Sequence, residues 1–390
     1  MRDPAAFLAE LRQQSPVCWL PGFDAWLVCS HEDAQLLFAD PRITSDSHVY
    51  DRYQAPSEPG AARWLSEIPF RTTPSSPETL GRRLVSAALT PRAIARIEDR
   101  IEETVERFAA PLSGQLGVVD LFGKFTAPVT ATVIARILGV PPKEEDERRF
   151  RMLARNSTRN IRPVMADKKR RKSERATVEV CEYILGLVEE RRLQPQPDLI
   201  SDLLEASHGQ TPASTEDIVK VIAGLVSAGS GTANIAAARS LRALLTHPDQ
   251  LELLRAEPEL LPNAIGELLR YDNGIVLIPR YVDQDLEVAG QSLRRGQLVL
   301  LSVLGANRDP AAFPDPDRLD LRRDTKDSLS FGRGPHYCIG ANIARTEIRL
   351  MLAAALEFLP REARLLEDEI RWTQKGLLSQ ISSLPVDFGG

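Results

Sequence analysis

The stretch FGRGPHYCIGANIAR, residues 331–345, places one cysteine between a glycine-rich turn and an apolar helix. Gly332 and Gly334 permit tight backbone conformations, which predicts a loop whose amide N–H groups point at the sulfur of Cys338. Gly340 lets the following helix approach closely. A thiolate is a strong iron ligand, and a haem bound through it keeps its opposite face free. A lone cysteine at a helix start is usually structural, but these neighbours favour a haem site.

The composition of the 390-residue chain is that of an ordinary globular protein, with 43% hydrophobic and 26% charged residues. A formal net charge of -5 argues against a nucleic-acid partner. A membrane span needs an apolar run of about 18 residues, and the sequence shows none. It also shows no signal peptide. The sequence therefore predicts a cytoplasmic protein without a membrane span.

Helical periodicity dominates the pattern of apolar residues. It predicts helices near residues 4–14, 91–109, 127–138, 176–192, 214–246, 248–256, 260–271 and 339–358. Strand-like runs are fewer and lie at 25–29, 275–282, 286–288 and 298–304. No repeat or flexible linker interrupts the chain. We therefore predict a mainly α protein with a minor β region, folded as one domain over residues 1–390.

The helix predicted at 214–246 contains the segment AGSGT, residues 228–232. Glycine inside a helix costs about 1 kcal/mol relative to alanine, so two glycines one residue apart require an explanation. One explanation is close packing against another helix. The other is a groove in which a ligand or cofactor lies against the backbone near Ala228, with the Thr232 hydroxyl bonding into it. These residues alone leave both explanations open.

The segment FGRGPHYCIG resembles the haem-binding loop of cytochrome P450 enzymes, with the phenylalanine, two glycines, cysteine and final glycine in place. The family's order of a long oxygen-side helix, a Glu-x-x-Arg helix and the cysteine loop recurs as AGSGT, ELLR and FGRGPHYCIG. The chain is similar to the soluble bacterial members over essentially its whole length. This resemblance implies a P450-like domain with haem b, whose iron Cys338 ligates and whose macrocycle Phe331 covers.

The resemblance also assigns charged residues around the haem. A buried ion-pair network behind it is expected to consist of Glu267, Arg270 and Arg318. The two haem propionates are expected to contact Arg82, Arg280 and His336. One departure is Glu78, where many relatives carry a histidine, and a carboxylate there does not pair with a propionate.

A second departure concerns proton delivery. Relatives usually carry an acid immediately before the threonine of the long helix, and here that position is Gly231. Thr232 remains, so a proton relay must use water, Ser230, Asn234 or a group of the substrate. Hydroxylation or epoxidation is the leading expectation. Oxidative C–C or C–O coupling and peroxide-driven turnover stay open, and a haem sensor or carrier is a weaker alternative.

The expected partners are O2, a lipophilic small molecule and an external electron donor. The chain contains no nucleotide-binding fingerprint, so its electrons must come from a ferredoxin or flavodoxin, which we expect to dock near Arg333. Pocket candidates by resemblance are mostly apolar: Trp64, Ile68, Phe70, Ile275, Leu277 and Leu377. They fit a terpenoid, steroid, polyketide or aromatic peptide derivative of secondary metabolism, although apolar residues here could equally belong to the core.

Overall fold

The computed structural model describes residues 4–65, 80–141, 143–157, 167–208, 212–375 and 377–390. Its helices are α1 (Pro4–Gln14), α2 (His31–Ala39), α3 (Ala61–Leu65), α4 (Leu80–Ala88), α5 (Pro91–Ala109), α6 (Ala127–Ile137), α7 (Glu144–Ser157), α8 (Asp167–Leu193), α9 (Leu199–His208), α10 (Thr215–Thr246), α11 (Pro248–Ala256), α12 (Leu261–Asp272), α13 (Val303–Asn307) and α14 (Ala341–Phe358). Its strands are β1 (Val17–Leu20), β2 (Ala25–Val28), β3 (Ile43–Thr44), β4 (Val118–Asp120), β5 (Leu277–Val282), β6 (Leu286–Val288), β7 (Gln291–Leu293), β8 (Leu298–Ser302), β9 (Arg364–Leu365), β10 (Arg371–Lys375), β11 (Leu378–Ser383) and β12 (Pro385–Asp387). The prediction of a mainly α fold with a minor β region is confirmed.

Helix α10 is unbroken over its 32 residues, through both glycines of AGSGT. A capping box starts it, in which the Ser214 hydroxyl accepts from the Asp217 amide at 3.1 Å and the Asp217 carboxylate accepts from the Ser214 amide at 2.9 Å. It ends at His247, because Pro248 begins the next helix. By length and mean hydropathy α10 could cross a membrane, contrary to the expectation that the chain has no such apolar stretch. It packs instead against α6, α8, α12 and α14, as a core helix does.

Helix α8 begins nine residues earlier than the periodicity indicates, at Asp167. The basic run KKRRKSER, residues 168–175, forms the start of this helix, and ion pairs stabilise it there. Arg170 lies 3.3 Å from Asp167 and 2.7 Å from Glu174, at helical spacings of three and four residues. The Glu174 carboxylate also accepts from the amide of Ser57 at 3.0 Å, which ties α8 to the chain before α3.

The largest sheet has five strands in the order β1-β2-β8-β5-β3. Strand β8 pairs parallel with β2 and antiparallel with β5, which places Arg280 opposite Val299. The hairpin of β10 and β11 returns to this region, because Leu378 forms a bridge with Ile275. The sheet therefore positions β5 beside the hairpin, where several predicted pocket residues lie.

The main hydrophobic core joins residues from Trp64 to Phe388, which is what the expected single domain requires. Glu347 on α14 is a buried acid, with 4% of its surface exposed. Within the described ranges its Oε1 has no hydrogen-bond partner. Burial raises the pKa of Glu347 to about 7, and the Thr130 hydroxyl offsets only part of that rise.

Glu347 predicts a pH dependence of stability. The folded state favours the protonated form of Glu347. Its contribution to folding stability is therefore complete below the unfolded pKa of 4.5 and is lost as pH rises through the folded pKa of about 7. We expect Glu347→Gln to be more stable than the wild type at pH 8, by about 2–3 kcal/mol. Urea unfolding at pH 5 and pH 8 measures this. An equal response of both proteins to pH would contradict the prediction.

Candidate functional site

The cysteine loop depends on glycine at two positions. Gly332 and Gly334 both have φ of +70°, which L side chains rarely adopt. A Cβ on Gly334 would lie 2.9 Å from the carbonyl oxygen of Phe38 on α2. The Cys338 amide donates to the Phe331 carbonyl at 3.0 Å and closes the loop. These contacts hold the cysteine at the start of α14.

The sulfur of Cys338 has the surroundings of a metal ligand. Its side chain has an exposed face, and the backbone N–H of Gly340 donates to it. Burial by the loop raises the pKa of the thiol, while the Gly340 amide and the charges of Arg82 and Arg345 lower it. Iron would displace the proton, because a ligating cysteine must be deprotonated.

Three basic groups gather beside this loop, and no acid in the described part of the chain pairs with them. Arg280 is 9% exposed, and its Nη1 donates to the carbonyl of Pro279 at 2.9 Å, with no carboxylate partner among the described residues. Burial lowers the pKa of Arg280 to about 10. The pKa of His336 falls to about 4 through burial and then the charges of Arg280 and Arg82. The His336 Nε2 is buried and unpartnered in the part of the chain that the structure covers.

The buried charge of Arg280, with the half-buried charge of Arg82 beside it, favours a bound anion, since an uncompensated buried charge is costly. The two propionates of a haem supply two carboxylates beside the cysteine that ligates its iron. Arg82 is already oriented in the cluster, because its Nη2 donates to the Tyr337 carbonyl at 2.7 Å. The residues present therefore fit a haem.

The glycines of α10 leave open space. The Thr232 hydroxyl donates to the Ala228 carbonyl at 2.7 Å. A Cβ on Gly231 would meet no described atom within 4 Å, and one on Gly229 would make only an ordinary contact of 3.7 Å with Ile134. Close helix packing thus does not require either glycine. Of the two explanations for AGSGT, the structure favours the open groove.

Three of the six pocket candidates come together. The Leu377 carbonyl accepts from the amides of Val276 and Leu277, each at 3.1 Å, and the adjacent Ile275 bridges the hairpin. Ile68 and Phe70 lie outside the described residues.

The prediction that Trp64 lines the pocket was wrong. It is 1% exposed within the main core, and its Nε1 donates to Glu182 of α8 at 3.0 Å. The indole of Trp64 packs in the core beside α8. An apolar sequence pattern alone does not distinguish a core residue from one that lines a cavity.

The buried ion-pair network has a different third member from the expected one. Glu267 and Arg270 form two hydrogen bonds, at 2.6 and 2.9 Å, with both side chains fully buried. Arg323 completes the network, with its Nε 3.2 Å from Glu267. The side chain of Arg318 is exposed, and only its carbonyl takes part, accepting from Arg270 at 3.4 Å. The assignment of Arg318 was therefore wrong.

One residue near the sulfur escaped the sequence analysis. The guanidinium carbon of Arg345 lies 4.4 Å from the centroid of the Phe331 ring, and its charge acts on Cys338. Arg345 lies in the second turn of α14, only seven residues after Cys338 in the sequence. That spacing was the available signal.

Comparisons with known proteins agree with this geometry. The family model described as Cytochrome P450 matches residues 28–364. The 6-deoxyerythronolide B hydroxylase of Saccharopolyspora erythraea is 32% identical over 98% of this chain and 95% of its own length. Cytochrome P450 monooxygenase PikC of Streptomyces venezuelae is 32% identical over 98% of this chain and 91% of its own length. Among solved structures, the cytochrome P450 PksS of the Bacillus subtilis 168 bacillaene polyketide synthase matches with a TM-score of 0.88 and 28% identity, covering 100% of this chain and 97% of PksS. The chain belongs to the cytochrome P450 family of haem-thiolate monooxygenases.

Proposed function

We propose that this protein hydroxylates or epoxidises a lipophilic polyketide of secondary metabolism, with Cys338 as its iron ligand. The observation that carries the proposal is the exposed sulfur of Cys338 beside Arg82, Arg280 and His336, which have no carboxylate partner among the described residues. The hydroxylase of 6-deoxyerythronolide B and the polyketide-synthase protein PksS support the substrate class. The exposed position of Ala228 and the open space at Gly231 support a ligand against α10.

The residues around the site have separate tasks in this proposal. The haem, when bound, supplies the activation of O2. Arg82, Arg280 and His336 hold its propionates, Gly332 and Gly340 shape the cysteine loop, and Phe331 covers the macrocycle. On the opposite side, the Thr232 hydroxyl donates a hydrogen bond to the Ala228 carbonyl. Its oxygen can still accept a hydrogen bond from water. The space at Gly231 admits that water.

Arg280 offers a direct test of the propionate assignment. Arg280→Met removes a buried charge while keeping an unbranched side chain, so we expect faster loss of haem from the protein. Transfer of haem to an excess of a scavenging apoprotein measures that rate, and we expect a rise of at least about tenfold. Arg83, exposed on the same helix as Arg82, provides the control variant Arg83→Met. Equal haem-loss rates for the two variants would argue against a propionate contact.

Electrons are proposed to arrive from an external ferredoxin or flavodoxin at the face of the cysteine loop, in the cytoplasm. Arg333 is exposed there and lies 3.9 Å from Asp327, a separation that leaves its charge largely available. We expect Arg333→Glu to lower the rate at which the donor reduces the haem iron by about tenfold, with haem content unchanged. An unchanged rate would place the docking face elsewhere.

Oxidative coupling is the second candidate, favoured by Gly231 at the position of the usual acid. Turnover under isotopically labelled oxygen gas separates the two functions. Substrates for this experiment come from a panel of macrolactones and linear polyketides, selected by the change they cause in the haem Soret band. Hydroxylation or epoxidation places the label in the product, whereas coupling leaves it in water. Binding without turnover of any tested compound would favour the haem sensor or carrier.

A further inference from the structure

A cavity of about 830 Å³ lies behind α10, between α6, α7 and the hairpin of β10 and β11. Its wall on α10 consists of Ser230, Gly231 and Asn234. At 100° per residue, Ser230 and Asn234 project about 160° away from Thr232 around the helix axis, and Gly231 about 100°. The cavity therefore faces away from the side of α10 that carries Thr232, and Gly231 lies at the boundary between the two.

The cavity has an excess of positive charge. Arg148 and Arg151 of α7 line it. Arg148 is exposed and has no ion-pair partner within the described ranges, while Arg151 lies 3.7 Å from Glu147. The same Glu147 oxygen lies 3.3 Å from Arg107. Arg107 and Arg151 thus share one carboxylate while Arg148 has none among the described residues, so an anion in the cavity would be attracted.

Two polar groups on α10 lack partners. The Oδ1 of Asn234 is buried, as is the Oγ of Ser230, and neither has a hydrogen-bond partner among the residues described. Asn234 is only 6% exposed. Buried polar groups are normally satisfied, so these two atoms are free to bond to water or to a polar group in the cavity.

The remaining wall is apolar. Phe108 of α5, Phe122 before α6 and Met152 of α7 line it, and Met152 is 52% exposed. A volume of this size suits a small organic molecule, since ligand pockets span roughly 300–1,000 Å³. Its walls combine hydrocarbon contacts with cationic donors.

We propose that this cavity is a second ligand site, separate from the haem, which binds an amphipathic organic carboxylate. The carboxylate contacts Arg148 and Arg151, and the hydrocarbon part packs against Phe108, Phe122 and Met152. Arginine is well suited to this task because its planar guanidinium matches a carboxylate with two parallel hydrogen bonds. The site goes beyond the proposed oxidation and does not depend on the identity of its substrate.

Calorimetric titration of the haem-loaded protein with sodium octanoate tests the proposal, with octan-1-ol as the uncharged comparison. Imidazole, which ligates the iron, occupies the haem side during the titration. We expect octanoate to bind under these conditions without displacing imidazole, and octan-1-ol to bind at least about tenfold more weakly. Loss of octanoate binding in the presence of imidazole would overturn the proposal, because it would assign that binding to the haem side.

Three variants complete the test. Arg148→Gln is expected to weaken octanoate binding about tenfold, and it breaks no ion pair among the described residues. Arg149→Gln is the matched control, because Arg149 lies outside the cavity wall, over the ring of Tyr183 at 5.4 Å. Gly231→Asp places a carboxylate on the wall and is expected to exclude octanoate. Equal affinity of Arg148→Gln and Arg149→Gln, or no octanoate binding to the wild type, would overturn the proposal.

Discussion

Replacing Cys338 with serine is expected to abolish monooxygenase activity and the thiolate spectrum of the haem protein. A serine hydroxyl remains protonated where a cysteine can ligate iron as a thiolate. The fold should persist, because the Cys338 side chain is exposed and the loop is closed by its backbone amide. Absorption spectra of the reduced, carbon monoxide-treated protein and product formation measure the effect.

Cys18 provides the matched control for this experiment. It is half-buried on β1, far along the chain from the loop, so Cys18→Ser should retain both the spectrum and the activity. A thiolate spectrum that survives in Cys338→Ser and disappears in Cys18→Ser would reassign the ligand.

Removal of Glu267 is expected to have the largest effect on stability. Glu267→Ala would strand the fully buried guanidinium of Arg270 and the partly buried one of Arg323. Loss of one partner from a buried ion pair costs roughly 3–5 kcal/mol, a large fraction of the 5–15 kcal/mol that stabilises a typical domain. Urea unfolding of the haem-loaded protein measures the change in free energy. A loss below about 1 kcal/mol, as exposed pairs give, would contradict the buried network.

Arg323 and Arg318 form a matched pair that tests the composition of this network. Arg323→Met removes the ion pair at 3.2 Å, whereas Arg318→Met removes an exposed side chain and preserves the carbonyl that the network uses. We expect Arg318→Met to change stability by less than about 0.5 kcal/mol and Arg323→Met by several times more. A larger loss of stability in Arg318→Met than in Arg323→Met would show that the Arg318 side chain belongs to the network.

The sequence predicted best those features that depend on local chemistry. The cysteine loop needs positive φ at Gly332 and Gly334, and only glycine adopts that conformation without strain, so the residue types reveal the geometry. The capping residues of α10 and the proline that follows it likewise mark the ends of a helix in the sequence itself. Such signals do not depend on distant parts of the chain.

Predictions that required distant contacts were less secure. Arg318 and Arg323 are five residues apart in one turn-rich segment, and Asp315 there has φ of +47°. Which of the two side chains points inward depends on how that segment folds over α12. The excess charge near Arg148 and Arg151 likewise emerges only when α7 packs against α10. The roles of the propionate residues and of Thr232 in this chain stay predictions.

The position of the iron ligand is the central claim, and one spectrum tests it most directly. The haem-loaded wild type is reduced, treated with carbon monoxide and compared with Cys338→His in the same buffer. A thiolate opposite carbon monoxide shifts the Soret band strongly to the red, and a histidine does not. We expect the red-shifted band in the wild type and a histidine-type band in the variant. A histidine-type band in the wild type would contradict ligation by Cys338 and the haem-thiolate chemistry that depends on it.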